Sequence, residues 1–515
     1  MCARQRLGMP SRAELVEQVL SEVFGFPGLK PEQVPVVHRV LGIGQPEGDA
    51  MVVMPTGSGK SLCYQLPALV CAREGEVKTS GVTLVFSPLI ALMEDQVSAL
   101  RAKGVRAQYV NSTVGKKERT KRYEKLAAGE YDLIYATPER MEKDDFRRAL
   151  DAVPGGVNLL AIDEAHCVSK WGHDLRPAYQ RVGEFRRELG SPHTIALTAT
   201  ATKAVRDDIR GVLGLDEDAM PLFATGIERP NLSMTVEPAW DDGDKVERIA
   251  EIAARFQKDG MGGTGIVYFA LIKDLERMMP EIRRAVAAKA GERVEVGQYH
   301  GRLPAKIKKK VYDHFIDATP ETPLLLCATN AFGMGVDKPD IRYIVHAQVP
   351  GSVEAYYQEV GRAGRDGDPS ACVLLYAQED LAIQHEFVRW QNPSADLLMG
   401  AMSAIARRYS GQEGHANFDA DDIRLDVIGK GHAHGMGGGV VEYALIGLAK
   451  RGAIEEVGPS ENGGTRYRFV RELDDSEIDA DEIEEKTKRD LSRLLEVVKM
   501  TQADSVAGFL EAYFD

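Results

Sequence analysis

The chain has 515 residues, a net charge of −14 and 44% hydrophobic residues, a globular composition long enough for about two to four domains. No apolar run approaches the ~20 residues of a membrane span, MCARQRLGMPSR lacks the apolar core of a secretory leader, and the six cysteines form no C-x-x-C pair, so a reduced, cytoplasmic protein is expected. The acidic balance excludes a globally basic nucleic-acid binder, but from Glu379 onward 15 Lys and Arg stand against 27 Asp and Glu, which leaves the first 378 residues near neutral and makes local patches decisive, since salt screens over ~8 Å.

Residues 11–45 read as helices around a loop that contains FGFPGLKPEQ, Phe24–Gln33. The Gln33 amide offers one donor and one acceptor to an adenine edge; taken alone, it reads more simply as an ordinary surface glutamine. Next comes MVVMPTGSGKS, Met51–Ser61. Its apolar start reads as a short buried strand, Thr56, Gly57, Ser58 and Gly59 as a turn, and Leu62, Leu66 and Leu69 as the face of a following helix. Strand, glycine-bearing loop, Lys-Ser and helix is the phosphate cradle of a P-loop NTPase. Glycines let backbone N–H groups turn inward around a phosphate, and the helix N-terminus adds its positive end. Lys60 is placed to reach the β- and γ-phosphates, and the Ser61 hydroxyl to ligate Mg²⁺. Met54 stands where the usual motif begins with Gly.

Apolar runs at Val82–Phe86, Leu133–Ala136, Leu159–Ile162 and Thr194–Leu197 read as buried strands separated by helices. One helix, Leu89–Leu100, has Ser87 as its cap, Pro88 in its first turn and Gly104 beyond its end. Alternating β and α units imply a parallel sheet covered on both faces. Asp163-Glu164-Ala165-His166 directly follows a strand, at the carboxyl edge where open α/β sheets bind ligands. Asp163 is placed to hold Mg²⁺, and Glu164 to polarise the attacking water.

The pattern restarts at Gly265–Phe269, Pro323–Ala328, Ile341–His346 and Cys372–Tyr376, after a Pro-rich, acidic hinge at Glu217–Asp244. Gly262-Gly263-Thr264 precedes a strand instead of following one, so only the first lobe is expected to cradle phosphate. The second lobe offers QEVGRAGRDG, with Gln358, Arg362 and Arg365. Arg is always charged and forks onto phosphate oxygens. An arginine finger from a second lobe makes hydrolysis depend on lobe closure.

These motifs, from about Phe24 to Gly367, resemble the RecQ family of superfamily 2 DNA helicases. FGFPGLKPEQ is similar to its adenine-reading motif, with Lys30 where an Arg is usual. Phe86–Leu100, with Ser87, and TPER, with Thr137, resemble its strand-contacting motifs, and Ala196–Thr202 its coupling motif. RPNL (Arg229–Leu232), YHGRL with His300, and Cys327–His346 with Thr329 and Asp337 resemble the second-lobe set. Directly after the DEAH tetrad, Cys167–Tyr179 resembles the aromatic-rich loop that in this family senses single-stranded DNA. Trp171, His173 and Arg176 lie in it, and Leu175 replaces the usual Phe. Rings stack on bases at ~1–3 kcal/mol each without reading sequence. The resemblance assigns Lys60, Asp163, Glu164, Gln358, Arg362 and Arg365 to catalysis. It assigns Lys30, Gln33, Thr56–Ser61 and Asp337 to the nucleotide, Ser61 and Asp163 to Mg²⁺, and Ser87, Thr137, Trp171, His173, Arg176, His300 and Thr329 to DNA. Lys306, Lys308, Lys309 and Lys310 suit a phosphate track or equally a solvated helix face.

The implied fold class is α/β: two RecA-like parallel-sheet lobes plus a smaller, mainly helical C-terminal module. The expected domains are 1–216, 217–378, a winged-helix-like 379–471, and 472–515 as acidic linker and helical hairpin. The implied function is ATP-dependent, 3′→5′ unwinding of duplex from single-stranded DNA in repair or recombination, without membrane partners. An RNA helicase and a DNA-stimulated ATPase or annealing protein are the alternatives. Family members commonly carry a four-cysteine zinc region here. This chain has no cysteine after Cys372, and His415, His432 and His434 make a poor site, so no structural zinc is expected.

Helix Val440–Lys450 followed by Ala453–Val457 and Thr465–Val470, with Arg466 and Arg468, resembles a winged helix; a small α+β packing domain fits equally. Glu472–Glu485 reads as a solvated linker. Leu491, Leu494, Leu495 and Val498, then Val506, Phe509, Leu510, Tyr513 and Phe514, recur at helical spacing. Thr501 and Asp504 read as the start of the second helix, and the apolar faces can pack on each other or on the second lobe. If Trp171 couples DNA to hydrolysis, Trp171→Ala keeps basal ATPase and loses most of its stimulation by single strands. Unchanged stimulation would make Trp171 a core filler.

Overall fold

A computed structural model describes residues 10–74, 81–169, 177–258, 263–333, 336–409, 417–428, 438–459 and 464–515. Seven strands build the first sheet: β1 (Ala50–Val53), β2 (Val82–Phe86), β3 (Ala107–Val110), β4 (Leu133–Ala136), β5 (Val157–Ile162), β6 (His193–Thr198) and β7 (Leu222–Ala224). Six build the second: β8 (Leu232–Pro238), β9 (Thr264–Tyr268), β10 (Glu295–Tyr299), β11 (Leu324–Ala328), β12 (Ile341–His346) and β13 (Ser370–Tyr376). Every pairing in both sheets is parallel. Helices cover both faces, so the central strands are apolar at consecutive positions. Ala50 and Val52 of β1 enter one core, while Met51 and Val53 enter the opposite one. Leu324 and Leu326 of β11 divide from Leu325 and Cys327 in the same way.

The strand orders are β3-β4-β2-β5-β6-β1-β7 and β10-β11-β9-β12-β13-β8. Superposed, they make β8 the counterpart of β1. The second lobe's equivalent of the phosphate loop is therefore Ala239–Asp244, not Gly262-Gly263-Thr264; Gly262 lies outside the described residues. Asp242 and Asp244 occupy the first turn of the helix that follows β8. Negative side chains at that N-terminus repel a phosphate.

The acidic stretch Glu217–Asp244 is not one hinge. β7 pairs with β1 through Met51–Leu222, Val52–Phe223 and Val53–Ala224, and β8 pairs with β13. The crossing between lobes shrinks to 225–231, and a boundary at 216/217 cuts off an edge strand of the first sheet. Pro and acidic composition hid two short strands.

The helix Asp380–Gln391 docks on the second lobe. Lys245 and Asp380 form a buried ion pair at 2.8 Å, and Gln384 Nε2 donates to Val349 O at 2.6 Å. A separate core follows, with Leu398, Ile405, Phe418, Leu445, Leu448, Ile454 and Tyr467. Its elements are helix Ala395–Tyr409, β14 (Asn417–Phe418), helices Ala420–Ile428 and Gly438–Lys450, β15 (Ile454–Pro459) and β16 (Thr465–Phe469). The strands form an antiparallel sheet, β14-β16-β15. Leu473, Ile478 and Ile483 pack on this core, so the module passes beyond 471.

Glu472–Glu485 is likewise not only linker. Asp479 caps a helix over Ala480–Thr501 by accepting from Asp481 N and Glu482 N, and acidic groups in a first turn suit the helix dipole. Thr501 ends this helix, and the next, Val506–Phe514, is capped by Ser505 accepting from Gly508 N. The Thr501–Asp504 start signature therefore marks a turn between helices. The hairpin packs on the second lobe: Val497, Met500, Val506, Leu510 and Phe514 share a core with Tyr356, Tyr357 and Val360. Leu491 and Leu495 face solvent instead.

Leu510 is 1% exposed and Leu495 is 54% exposed. Leu510→Ala is expected to destabilise the protein by about 2–5 kcal/mol, and Leu495→Ala by less than about 0.5 kcal/mol. Calorimetry checks both; equal effects would contradict docking of the hairpin.

Candidate nucleotide cleft

A cleft of about 910 Å³ opens between the sheets, lined by Lys60, Ser61, Asp163 and Glu164 from the first lobe and by Gln358, Arg362 and Arg365 from the second. The loop after β1 needs its glycines. Gly57 and Gly59 have φ of 83° and 87°, a region that side chains disfavour. A Cβ on Gly59 would stand 2.6 Å from Gln33 Nε2. Lys60 Nζ donates to Met54 O at 2.9 Å and Pro55 O at 3.1 Å. Burial pushes the Lys60 pKa down, against the opposing pull of Glu164 and Asp163. Ser61 Oγ accepts from Gln96 Nε2 at 3.2 Å, while Tyr64 OH donates to Gln96 Oε1 at 2.7 Å. The motif reading passed over Gln96. Its position in a motif thought to touch DNA concealed that it orients the serine.

Asp163 closes β5, its N–H donating to Phe86 O at 2.8 Å. Burial, then the neighbouring Glu164, pushes the Asp163 carboxyl above the usual range, while Lys60 opposes the shift. Glu164 is left-handed, with φ 49°, a strained turn of the kind that collects at functional sites. His166 Nδ1 lies 3.0 Å from Thr198 Oγ1 and 3.4 Å from Glu164 Oε2. Thr198 Oγ1 in turn donates to Thr200 O at 3.0 Å. The DEAH tetrad and the Ala196–Thr202 segment are thus in direct contact. No cluster of three His, Cys, Asp or Glu suited to a metal occurs among the described residues. The Ser61 hydroxyl and Asp163 carboxylate are hard oxygen donors facing the same cleft. They fit Mg²⁺, which takes one or two carboxylates and shares the rest of its shell with substrate phosphates and water.

At the far end Phe24 and Phe26 stack, 6.3 Å between centroids, and Lys103 Nζ is 6.0 Å from the Phe24 ring. Leu92, Leu100, Lys103 and, from the second lobe, Tyr312 also line the cleft. Leu92 and Leu100 belong to the Phe86–Leu100 motif, whereas no motif signals Lys103 or Tyr312. Gln33 is 3% exposed, which removes the surface-glutamine reading. Its Oε1 accepts from Lys30 N at 3.0 Å, and its Nε2 donates to Ser58 O at 3.2 Å and Gly59 O at 3.1 Å. Lys30 Nζ also donates to Ser58 O at 3.3 Å. In this arrangement both residues grip the phosphate loop.

The second lobe brings its arginines on the turn after helix Val353–Val360. A Cβ on Gly57 would lie 3.3 Å from Arg365 Cγ, so Arg365 runs along the phosphate loop. Its guanidinium donates to Asp337 Oδ1 at 2.6 Å. Burial lowers its pKa, with Asp337 opposing. Asp337, expected on the nucleotide, lines the cleft and is the counter-ion of this arginine. Buried Arg362 donates to Gly333 O. Arg229 Nη2 donates to Ala363 O and Gly364 O, both at 2.9 Å, and Asn231 Nδ2 to Gly364 O at 2.8 Å. RPNL, a motif without a residue-level role in the sequence, holds the arginine turn.

Ser87, Thr137, His300 and Thr329 all follow strands, β2, β4, β10 and β11, at the carboxyl edges of the two sheets. Ser87, His300 and Thr329 are buried and Thr137 is half-buried. Trp171, His173 and Arg176 lie outside the described residues, as do His415, His432 and His434. Lys306, Lys309 and Lys310 are exposed, with Lys309 paired to Asp313 at 3.0 Å. Arg468 pairs with Glu455.

Residues 30–208 match the DEAD/DEAH box helicase family, and residues 244–367 match the helicase conserved C-terminal domain. The chain is 38% identical over 393 residues to the probable ATP-dependent DNA helicase RecS of Bacillus subtilis, covering 76% of this chain and 73% of that one. It is 39% identical over 369 residues to the ATP-dependent DNA helicase RecQ of the same organism, covering 72% of this chain and 57% of that one. The fold is similar to that of the DUF1998 helicase MrfA bound to DNA, with a TM-score of 0.57 and 20% identity over 92% of this chain and 61% of that one. It is also similar to Dbp5 of S. cerevisiae bound to RNA, at 0.53 and 16% over 75% and 93%. Two lobes sharing one strand order, a phosphate loop in the first and an arginine turn in the second thus accompany more than one-third identity across both: the chain belongs to the RecQ family of superfamily 2 DNA helicases.

Proposed function

We propose that the chain hydrolyses ATP in the inter-lobe cleft and couples each cycle to 3′→5′ movement along single-stranded DNA, unwinding duplex in repair or recombination. The observation that carries this reading is Arg365 of the second lobe lying along Gly57 of the phosphate loop. Lys60 exchanges the Met54 and Pro55 carbonyls for β- and γ-phosphate oxygens. Gln96 keeps the Ser61 hydroxyl turned toward the cleft. Glu164 takes the proton of the attacking water, and its contact through His166 to Thr198 links hydrolysis to the coupling segment. Arg362 and Arg365 neutralise charge that develops on the transferred phosphoryl group. Mg²⁺, when bound at Ser61 and Asp163, adds Lewis-acid charge on the phosphates.

Ser87, Thr137, His300 and Thr329 are read as a polar edge under the DNA strand, with Trp171, His173 and Arg176 on the loop that senses it. The order helix, strand, helix, helix, strand, strand in the C-terminal module supports a winged helix. Its apolar core supports folding without zinc.

ATPase and strand separation on 3′-tailed DNA, 5′-tailed DNA and RNA duplexes test the reading. Stimulation by single-stranded DNA and unwinding from a 3′ tail are expected; preference for RNA or for a 5′ tail would overturn it, and hydrolysis with annealing alone would make the chain a non-unwinding ATPase. Lys60→Ala should reduce turnover at least about 100-fold and leave single-strand affinity intact.

Arg229→Ala frees the arginine turn without touching the phosphate loop. It should lower kcat on the order of 10–100-fold at nearly unchanged KM for ATP. An unaltered kcat would show that the turn holds its own geometry.

A further inference from the structure

The helix Val506–Phe514 touches the second lobe and the first lobe at once and lies beside the crossing. Tyr513 OH donates to Glu354 Oε1 at 2.8 Å, and Glu354 is a buried residue of the helix that leads into Gln358, Arg362 and Arg365. The Phe514 ring lies 5.3 Å from that of Tyr357, whose hydroxyl donates to Ile227 O in the crossing at 3.0 Å. A groove of about 220 Å³ separates the rest of the crossing from Leu510 and Glu511. On the other side, Arg206 of the first lobe donates to Phe514 O at 3.1 Å and Asp515 O at 2.8 Å. Arg206 stands on helix Lys203–Leu213, directly after the coupling segment, and also reaches Ala201 O at 3.4 Å. Asp208 on the same helix accepts from Ser169 Oγ at 2.7 Å, the last described residue before Trp171.

We propose that Val506–Phe514 is a strap that sets the approach of the second lobe's arginines to the phosphate loop, with Arg206 and Tyr513 as its positioning residues. A short crossing alone leaves two lobes free to rotate about several axes. A second attachment beside it restricts them to one, and hinge closure then follows a repeatable path. The strap's grip on the first lobe is two hydrogen bonds from one guanidinium to the main-chain oxygens of Phe514 and Asp515, a contact small enough to break and re-form. Its grip on the second lobe is an apolar core to which the Tyr513–Glu354 hydrogen bond adds direction. Helix Lys203–Leu213 thus carries both Asp208, bound by Ser169, and Arg206, bound to the strap, and the strap reaches the arginine helix through Tyr513 and Glu354. This inference rests on reading the cleft as the site of ATP hydrolysis.

The test is steady-state ATPase of the full chain with saturating single-stranded DNA, for wild type, Arg206→Ala, Arg206→Lys and Tyr513→Phe. Affinity for a fluorescent ATP analogue, affinity for single strands and Tm are measured alongside. Arg206→Ala should lower kcat on the order of tenfold, with KM for ATP, both affinities and Tm close to wild type. Arg206→Lys, which can still donate to the carbonyls, should recover part of the loss. Tyr513→Phe removes one hydroxyl only and should move kcat in the same direction. An active wild type with unchanged kcat in Arg206→Ala and Tyr513→Phe overturns the strap alone, as does a loss that appears equally in Tm and nucleotide affinity. A wild-type chain without DNA-stimulated hydrolysis overturns the functional reading instead.

Discussion

The approach of Arg365 to Gly57 is the contact on which the rest of the molecule depends. Two sheets with separate cores have no covalent reason to meet in one orientation. The cleft becomes a chemical site only when a guanidinium from one lobe lies along the phosphate loop of the other. The contact demands glycine at 57 for its positive φ, and a Cβ there would also crowd Arg365 at 3.3 Å. It also demands a rigid turn on the far side. Arg229 and Asn231 supply that rigidity by occupying the carbonyls of Ala363 and Gly364. Gly364 must itself be glycine, since a Cβ there would sit 2.4 Å from Asn231 Nδ2.

The charges in the cleft are arranged against one another before any substrate arrives. Lys60 and Arg365 are both shifted toward neutrality by burial, and Asp163 is shifted toward its protonated form by burial and by Glu164. Each shift measures how poorly the site satisfies its own charges. A polyphosphate with a divalent cation would answer both imbalances, its negative charge meeting Lys60 and the arginines and its cation meeting Asp163. Water exclusion makes these interactions stronger than they would be at the surface.

The C-terminal hairpin shows how apolar burial can attach an accessory element to a moving machine. Val497, Met500, Leu510 and Phe514 complete the core of the second lobe, while the same hairpin meets the first lobe through polar contacts to Arg206. The strong attachment defines which lobe the hairpin travels with, and the weak one can yield during a cycle.

The sequence by itself determined the two α/β lobes, the phosphate loop, the Asp163-Glu164 pair and the arginine turn. Each is a local pattern, residues whose spacing along a strand, loop or helix start already brings backbone donors or charges together. Tertiary structure decided the rest, because those features join residues far apart in the chain. Gln96 orients Ser61 across 35 positions, and Tyr312 enters the cleft from the opposite lobe. Arg229 braces a turn more than 130 residues away. Gln33 carries adenine-reading chemistry in its amide, yet packing commits that amide to the loop carbonyls. The three residues of β7 are too few to carry a period and are recognisable only by their partner, whereas β8 alternates apolar and polar residues from Leu232 to Glu237, a strand signal hidden only by the acidic, Pro-rich composition around it. The hairpin's helices were legible from their spacing. Which face is buried, with Leu510 inside and Leu495 out, was set by the lobe they pack against.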